Sequence, residues 1–230
     1  MTRYFTPEVF AFLRELSENN NKTWWDGNKH RYRRVIQEPA HDFIEDFGPK
    51  LSSISPHFVA DPRSNGGSLM RPYRDVRFSK DKTPYKTNVG IQFRHARGKD
   101  VHAPGFYLHL EPGRCFAGAG LWNPETVVAR AIRQQINDER DLWAKSAHDP
   151  DFTAKWSLAD HEEDRLQRVP RELDDDHPYP DDLRLKSFTA GTKLTQASVT
   201  SASFADDLAA SYALTGPYVE FLCRAINVPF

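Results

Sequence analysis

The sequence predicts an α+β fold: a single antiparallel sheet with helices packed on one face, and helical N- and C-terminal regions. Three observations predict it. Apolar residues recur at helical spacing near both ends of the 230-residue chain. Between about residues 75 and 122 the period drops to two, the mark of half-buried strands. Those stretches follow one another with no helical stretch between them. Parallel neighbours need crossovers of about a dozen residues, so an antiparallel meander is favoured.

Taken in order, a first helix is expected from Pro7. Thr6 is a capping residue type, and proline at the first helical position sacrifices no hydrogen bond. Val9, Phe10, Leu13 and Leu16 form its apolar stripe. Asn19-Asn20-Asn21 ends it, because asparagine competes for its own backbone and tolerates left-handed geometry. A second helix is expected over about 25–37, with Trp24-Trp25 as packing residues. A third begins at Pro39 and carries Phe43, Ile44, Phe47 and Leu51 on one side. Gly48-Pro49 is expected to interrupt or kink it.

Strands come next. Val76 and Phe78 alternate with Asp75, Arg77 and Ser79, which predicts a strand over 75–79. Val89, Ile91 and Phe93 predict a second, and Phe106, Leu108 and Leu110 a third. A fourth is expected over about 114–122. Asn123-Pro124 then opens a helix with Val127, Val128, Ala131, Ile132 and Ile136 on its buried side. Residues 138–182 read as irregular and acidic, with short helical pieces around 139–147 and 151–156. Ser203 caps a run through Phe204, Leu208 and Tyr212; Gly216-Pro217 breaks it, and Tyr218, Phe221, Leu222 and Ile226 continue the stripe. The whole chain, 1–230, reads as one α+β domain, with a subdivision near 137 as the alternative.

Composition narrows the function classes. Net charge is −1, so no global field recruits nucleic acid or membrane. Cys115 and Cys223 lie far apart and suggest neither a disulfide framework nor a thiolate metal site. The N-terminus lacks the pattern of a signal peptide, and no stretch approaches the ~18 apolar residues of a membrane span. A cytoplasmic protein is the expectation. Its oligomeric state is left open.

Charge is nevertheless segregated. Residues 63–99 hold ten basic residues against two acids, a net of +8, whereas residues 138–182 hold fifteen acids against six basic residues, a net of −9. The acids cluster at Glu162-Glu163-Asp164 and Asp174-Asp175-Asp176. The basic core reads Arg71-Pro-Tyr-Arg-Asp-Val-Arg-Phe-Ser-Lys-Asp-Lys-Thr-Pro-Tyr-Lys86. Arginine offers a planar fork that matches phosphate or carboxylate oxygens, and lysine adds compact charge. Arg71, Arg74, Arg77, Lys82, Tyr85 and Lys86 are therefore the candidate ligand-binding residues. Asp75 is placed to orient Arg74 or Arg77.

This segment resembles the signature of a bacterial protein family, domain of unknown function 2461: Arg-x-x-Arg-Asp-x-Arg-Phe, a short gap, then Lys-x-Pro-Tyr-Lys. Arg71, Arg74, Asp75, Arg77, Phe78, Lys82, Pro84, Tyr85 and Lys86 occupy those positions. The resemblance extends to Asn19–Trp25, to Gly118–Pro124, to Arg168-Val-Pro-Arg171 with His177-Pro178, and to Arg184–Phe188. Glu172-Leu173 departs from it, where the family pattern has Gly-Tyr. The resemblance implies no established activity and no known cofactor.

Other chemistry is weakly signalled. The nine histidines include no His-x-x-x-His with a glutamate and no Cys/His set at zinc spacing, so no metal site is assigned; His102 and His109 could share an ion only through the fold. There is no Gly-x-Ser-x-Gly elbow, and Gly66-Gly67 and Gly118-Ala-Gly120 are not phosphate loops. His109 shares its polar strand face with Tyr107 and Glu111. Near several cations it would be held neutral, as a base or acceptor. Asp75, Tyr85 and His109 are thus the candidate proton-transfer residues. The helix start at Asn123-Pro124, Arg184 and Lys186 are further candidates for lining the same pocket.

Three readings follow. The first is a protein, as an enzyme or as a binder alone, that grips a small phosphate- or carboxylate-bearing ligand. The second is a nucleic-acid binder, which the acidic segment argues against. The third is a structural or interaction protein whose basic motif pairs with its own acids at 160–182. Converging arginines in a concave site favour the first, a flat basic face with exposed rings the second, and internal pairing the third.

Overall fold

In the computed structural model, residues 2–98, 103–158, 165–174 and 176–230 are described. Helices α1 (Pro7–Glu18), α2 (Lys22–Tyr32) and α3 (Glu38–Ile54) come first. After them come β1 (Phe58–Val59), β2 (Val89–His95), β3 (Gly105–Leu110) and β4 (Cys115–Leu121), then α4 (Thr126–Asp138), α5 (Arg140–Ala147), α6 (Pro150–Thr153), β5 (Ser157–Leu158) and α7 (Pro180–Leu183). β6 (Phe188–Leu194), α8 (Gln196–Val199), α9 (Phe204–Ala213) and α10 (Gly216–Ala225) complete the chain. The strands form one antiparallel sheet in the order β1-β2-β3-β4-β6-β5. The α+β class with helices at both ends is therefore what the chain adopts.

Alternation sets the two faces. Ile91 pairs with Leu108, Phe93 with Phe106, and Phe106 with Ala119, so these apolar side chains share one face. Helices cover that face: Phe47 of α3 stacks on Phe93 at 5.1 Å, and Tyr212 of α9 meets Phe106 at 4.9 Å. Buried hydrophobic residues from Phe5 to Cys223 join in one cluster. Gly90, Tyr107, His109, Phe116 and Gly118 fall on the opposite face by the same period of two.

Several expectations need correction. The second helix does not run evenly to residue 37, because Arg33–Gln37 forms a π-helical turn in which Val35 and Ile36 are both buried. The wider turn is a π-bulge between two α-helical stretches, and it shifts the buried face by one residue. Gly48-Pro49 does not interrupt α3, which continues to Ile54. Phe43, Ile44, Phe47 and Leu51 are fully buried along it, and that burial outweighs one lost backbone hydrogen bond. Thr6 and Ser203 stand at the N-cap positions of α1 and α9 without donating or accepting a side-chain capping bond.

The largest correction concerns 75–79, which is not a strand. Phe78 is 96 % exposed, so the apparent alternation has no buried side. β6, by contrast, was not expected, and it fills the sheet position beside β4. Gly120 makes that pairing possible: its φ is +117°, and a Cβ there would lie 2.2 Å from the Phe188 carbonyl oxygen.

Candidate functional site

The basic motif is the tip of a hairpin that projects from the edge of β2. Residues 68–73 run back along residues 85–92. The Met70 N–H donates to the Gly90 carbonyl at 2.9 Å, and the Gln92 N–H to the Ser68 carbonyl at 2.9 Å. Farther out, the Lys86 N–H donates to the Pro72 carbonyl at 2.7 Å and the Arg74 N–H to the Pro84 carbonyl at 2.9 Å, flanking a Tyr73–Tyr85 bridge. Proline cannot donate, but here each proline is asked only to accept, which suits an edge position.

The asparagine turn at 19–21 anchors this hairpin. Asn21 caps α2 by accepting from the Trp24 N–H at 3.0 Å. Asn20 clamps Tyr85, donating to its carbonyl at 2.9 Å and accepting from its N–H at 3.0 Å. Trp25 lies on the Tyr85 ring, with centroids 4.3 Å apart and planes at 17°. Burial pushes the Tyr85 phenol up from its ordinary range.

Between 74 and 84 the loop is knitted to itself. Arg74 reaches Asp81 and Thr83, and Asp81 also accepts from the Thr83 N–H at 2.9 Å. That backbone bond, aided by Arg74, holds the Asp81 carboxyl down at about 2. Arg77 makes a forked pair with Asp75, at 2.6 and 2.9 Å, and its side chain is 76 % exposed. The Lys82 ammonium donates to the Val76 carbonyl at 2.9 Å.

Beside this loop lies an open cleft of about 700 Å³. The hairpin contributes Arg74, Asp75, Asp81, Thr83, Tyr85 and Lys86 to its lining, and the polar face of β3 contributes Tyr107 and His109. All three candidate proton-transfer residues, Asp75, Tyr85 and His109, thus line one cavity. Of the candidate ligand-binding residues, Arg74, Tyr85 and Lys86 line it as well. Arg71, Arg77 and Lys82 do not, and neither do Asn123, Arg184 or Lys186.

Lys86 differs from the loop cations. Burial, and then the charge of Arg71, push its ammonium down from the ordinary lysine range. Among the described residues no carboxylate pairs with it. His109 is 9 % exposed and stacks on Phe116 at 4.7 Å. Its Nδ1 is 3.1 Å from the Tyr107 hydroxyl and 3.5 Å from the Asn88 amide nitrogen, and its Nε2 is 3.1 Å from a Glu111 carboxylate oxygen. Burial lowers the His109 pKa; Glu111 works against that shift, and Arg114 adds to it. Burial likewise raises the Tyr107 phenol. Tyr107 and Glu111 were visible in the sequence as neighbours of His109 on an i, i+2, i+4 face, but nothing there marked them as bonded to it.

Four acids of the 172–182 stretch are engaged elsewhere, Asp182 among them through Trp143 and His148. Asp174 pairs with Arg140, Glu172 with Arg130, and Asp181 with Arg165 and Arg184. Among the described residues, no ion pair joins the 71–86 motif to this segment. His102, Lys99, Glu162-Glu163-Asp164 and Asp175 lie outside the described residues. Among the described residues no three metal-ligating side chains converge, and no helix is long and apolar enough to cross a membrane. Cys115 and Cys223 are buried free thiols, with Cys115 Sγ donating to the Glu111 carbonyl.

No curated protein matches the chain significantly. A family of conserved hypothetical proteins does, over residues 8–221, a span that takes in the anchoring asparagines, the hairpin, the sheet and most of α10; the chain belongs to the family called domain of unknown function 2461.

Proposed function

We propose that the cleft between the 71–86 hairpin and the polar face of β3 binds a small anion bearing phosphate or carboxylate oxygens. One observation carries this reading. Lys86 lines the cleft beside a second cation, Arg71, and no described carboxylate neutralises it. A bound anion would supply the missing countercharge, and a partly desolvated ammonium binds oxygen more strongly than one in water. Arg74, already fixed by Asp81 and Thr83, adds a planar donor whose orientation is set before the ligand arrives.

Of the six candidate ligand-binding residues, Arg74, Tyr85 and Lys86 line the cleft and keep that role, and Arg71 acts on it through its charge on Lys86. Arg77 and Lys82 serve the fold of the loop, as an exposed ion pair and as a bond to the Val76 carbonyl. The nucleic-acid reading retains one specific support: Phe78 is 96 % exposed, with the Arg77 guanidinium 5.8 Å above its ring. That is the combination on which an unpaired base stacks.

Thermal denaturation against inorganic phosphate, nucleotides, dicarboxylates and a short single-stranded oligonucleotide tests both readings. A ligand that binds only the folded state raises the melting temperature by mass action. A rise with a small anion, lost in Lys86→Met, is the expected result. A rise with the oligonucleotide alone, lost in Phe78→Ala, would replace the anion reading with the second one. No response to any of them would leave the motif a structural element.

A further inference from the structure

Tyr107, His109 and Glu111 stand at alternate positions of one strand and its exit, so a period of two brings them to the same face. Their side chains are joined in series: hydroxyl to Nδ1 at 3.1 Å, and Nε2 to carboxylate at 3.1 Å. A carboxylate oxygen can only accept, so the proton of the neutral ring sits on Nε2. Nδ1 is then left to accept from the phenol. The third group fixes the tautomer of the second, which is the arrangement that activates a hydroxyl in a catalytic relay. Phe116 stacks beneath the imidazole and holds its plane.

The backbone is shaped to admit this row. Gly90 stands opposite His109 in the β2–β3 register. A Cβ at that position would lie 2.9 Å from the Tyr107 hydroxyl and 2.8 Å from Met70 Sδ. The phenol therefore occupies space that any other residue at 90 would take. From there it opens on the same cleft as Lys86 and Arg74.

We propose that Tyr107 is the catalytic proton acceptor of the cleft, working on an anionic molecule that carries an acidic O–H, N–H or C–H. This rests on the anion reading above. In the step, the ligand's bond to hydrogen breaks and its electron pair stays on the ligand. The proton bonds to the Tyr107 oxygen, while the phenol's own proton passes to Nδ1 of His109. The imidazolium so formed is held by the Glu111 carboxylate. The negative charge gained by the ligand develops beside Lys86 and Arg74, where cations stabilise it most. His109 and Glu111 are positioning residues: they act on the ligand only through Tyr107. At rest, burial and Arg114 keep His109 neutral and ready to accept.

The test is long-range ¹H–¹⁵N NMR of the full chain with labelled histidine, with and without saturating inorganic phosphate. The pH is set below phosphate's second ionisation, so that the anion has a proton to give. In the free protein His109 is expected with Nε2 protonated and Nδ1 bare. Phosphate should shift the Nδ1 signal toward the protonated position. Tyr107→Phe, studied at phosphate concentrations that saturate its own cleft, should lose that response entirely; Glu111→Gln should weaken it. Lys86→Met should lose binding itself. A protonated Nδ1 in the free protein overturns the relay. So does phosphate that binds without moving Nδ1, or that moves it equally in Tyr107→Phe; the anion site then stands without it. If phosphate fails to bind the wild type, the anion reading falls first and the relay with it. The two wild-type spectra decide the matter even where a variant misfolds.

Discussion

The side-chain amide of Asn20 is bonded to both backbone groups of Tyr85, giving to the carbonyl at 2.9 Å and taking from the N–H at 3.0 Å. Two chain segments 65 residues apart are thereby held in register by one side chain. Asn20→Ala should cost about 1–3 kcal/mol, because it strands two part-buried backbone groups at once. Chemical denaturation gives the number. Asn20→Asp, which keeps the acceptor and loses the donor, should fall between the variant and the wild type.

Trp25→Ala removes the ring on which Tyr85 lies and opens a cavity at the root of the hairpin. A loss of about 3–5 kcal/mol is expected for a buried tryptophan. Thermal melts would show it, and the anion response should weaken as well, since the hairpin carries Lys86.

Lys86→Met should do the opposite to stability. The native ammonium is disfavoured by burial and by Arg71, so its removal should leave the melting temperature equal or higher. The phosphate-induced rise should vanish in the same variant. Arg77→Ala provides the contrast. Its ion pair with Asp75 is exposed on both sides, so stability should stay within about 0.5 kcal/mol and the phosphate response should persist.

His109 gives a pH dependence of defined sign. Its native pKa lies below the unfolded value, so the unfolded chain binds the extra proton first. The contribution is complete above the unfolded pKa of about 6.5 and is lost as pH falls toward the lower native value. Denaturation curves for wild type and His109→Gln should diverge above that window and converge below it. Tyr107, Asn88, Glu111 and Arg114 face the ring and are unchanged in the variant.

Gly90→Ala should cost about 1–3 kcal/mol through overpacking against Met70 and the Tyr107 phenol. Because the phenol must move, the His109 Nδ1 signal should shift even without ligand.

How much of this was legible depended on contrast in the side chains. The strands Val89–His95 and Gly105–Leu110 alternate large apolar with polar residues, so period two was plain. Phe188–Leu194 alternates mostly through Ala190, Gly191 and threonines, whose small size blunts the signal. Val76 and Phe78 gave the correct period for the wrong reason, since no sheet face waits for them. Tyr85, Asp75 and His109 were identified by residue type and do meet in one cleft. Lys86 could not be ranked above Arg77 beforehand, because which cation is neutralised depends on turn geometry. Asp75 bends back to the N–H and side chain of Arg77, and Asp81 to Thr83 and Arg74. Neither reaches Lys86.

The Tyr73–Tyr85 bridge has a consequence for how this surface can change. It closes the loop at its base, and within the loop Arg77 pairs with Asp75, Arg74 with Asp81, and Lys82 donates to the Val76 carbonyl. Such a segment is an exchangeable cassette. Doubling its length would add only about 0.6 kcal/mol of closure entropy. Residues 75–80 can therefore be lengthened, shortened or replaced while the strands beneath keep their alignment, which makes this tip the natural place to alter what enters the cleft without rebuilding the floor.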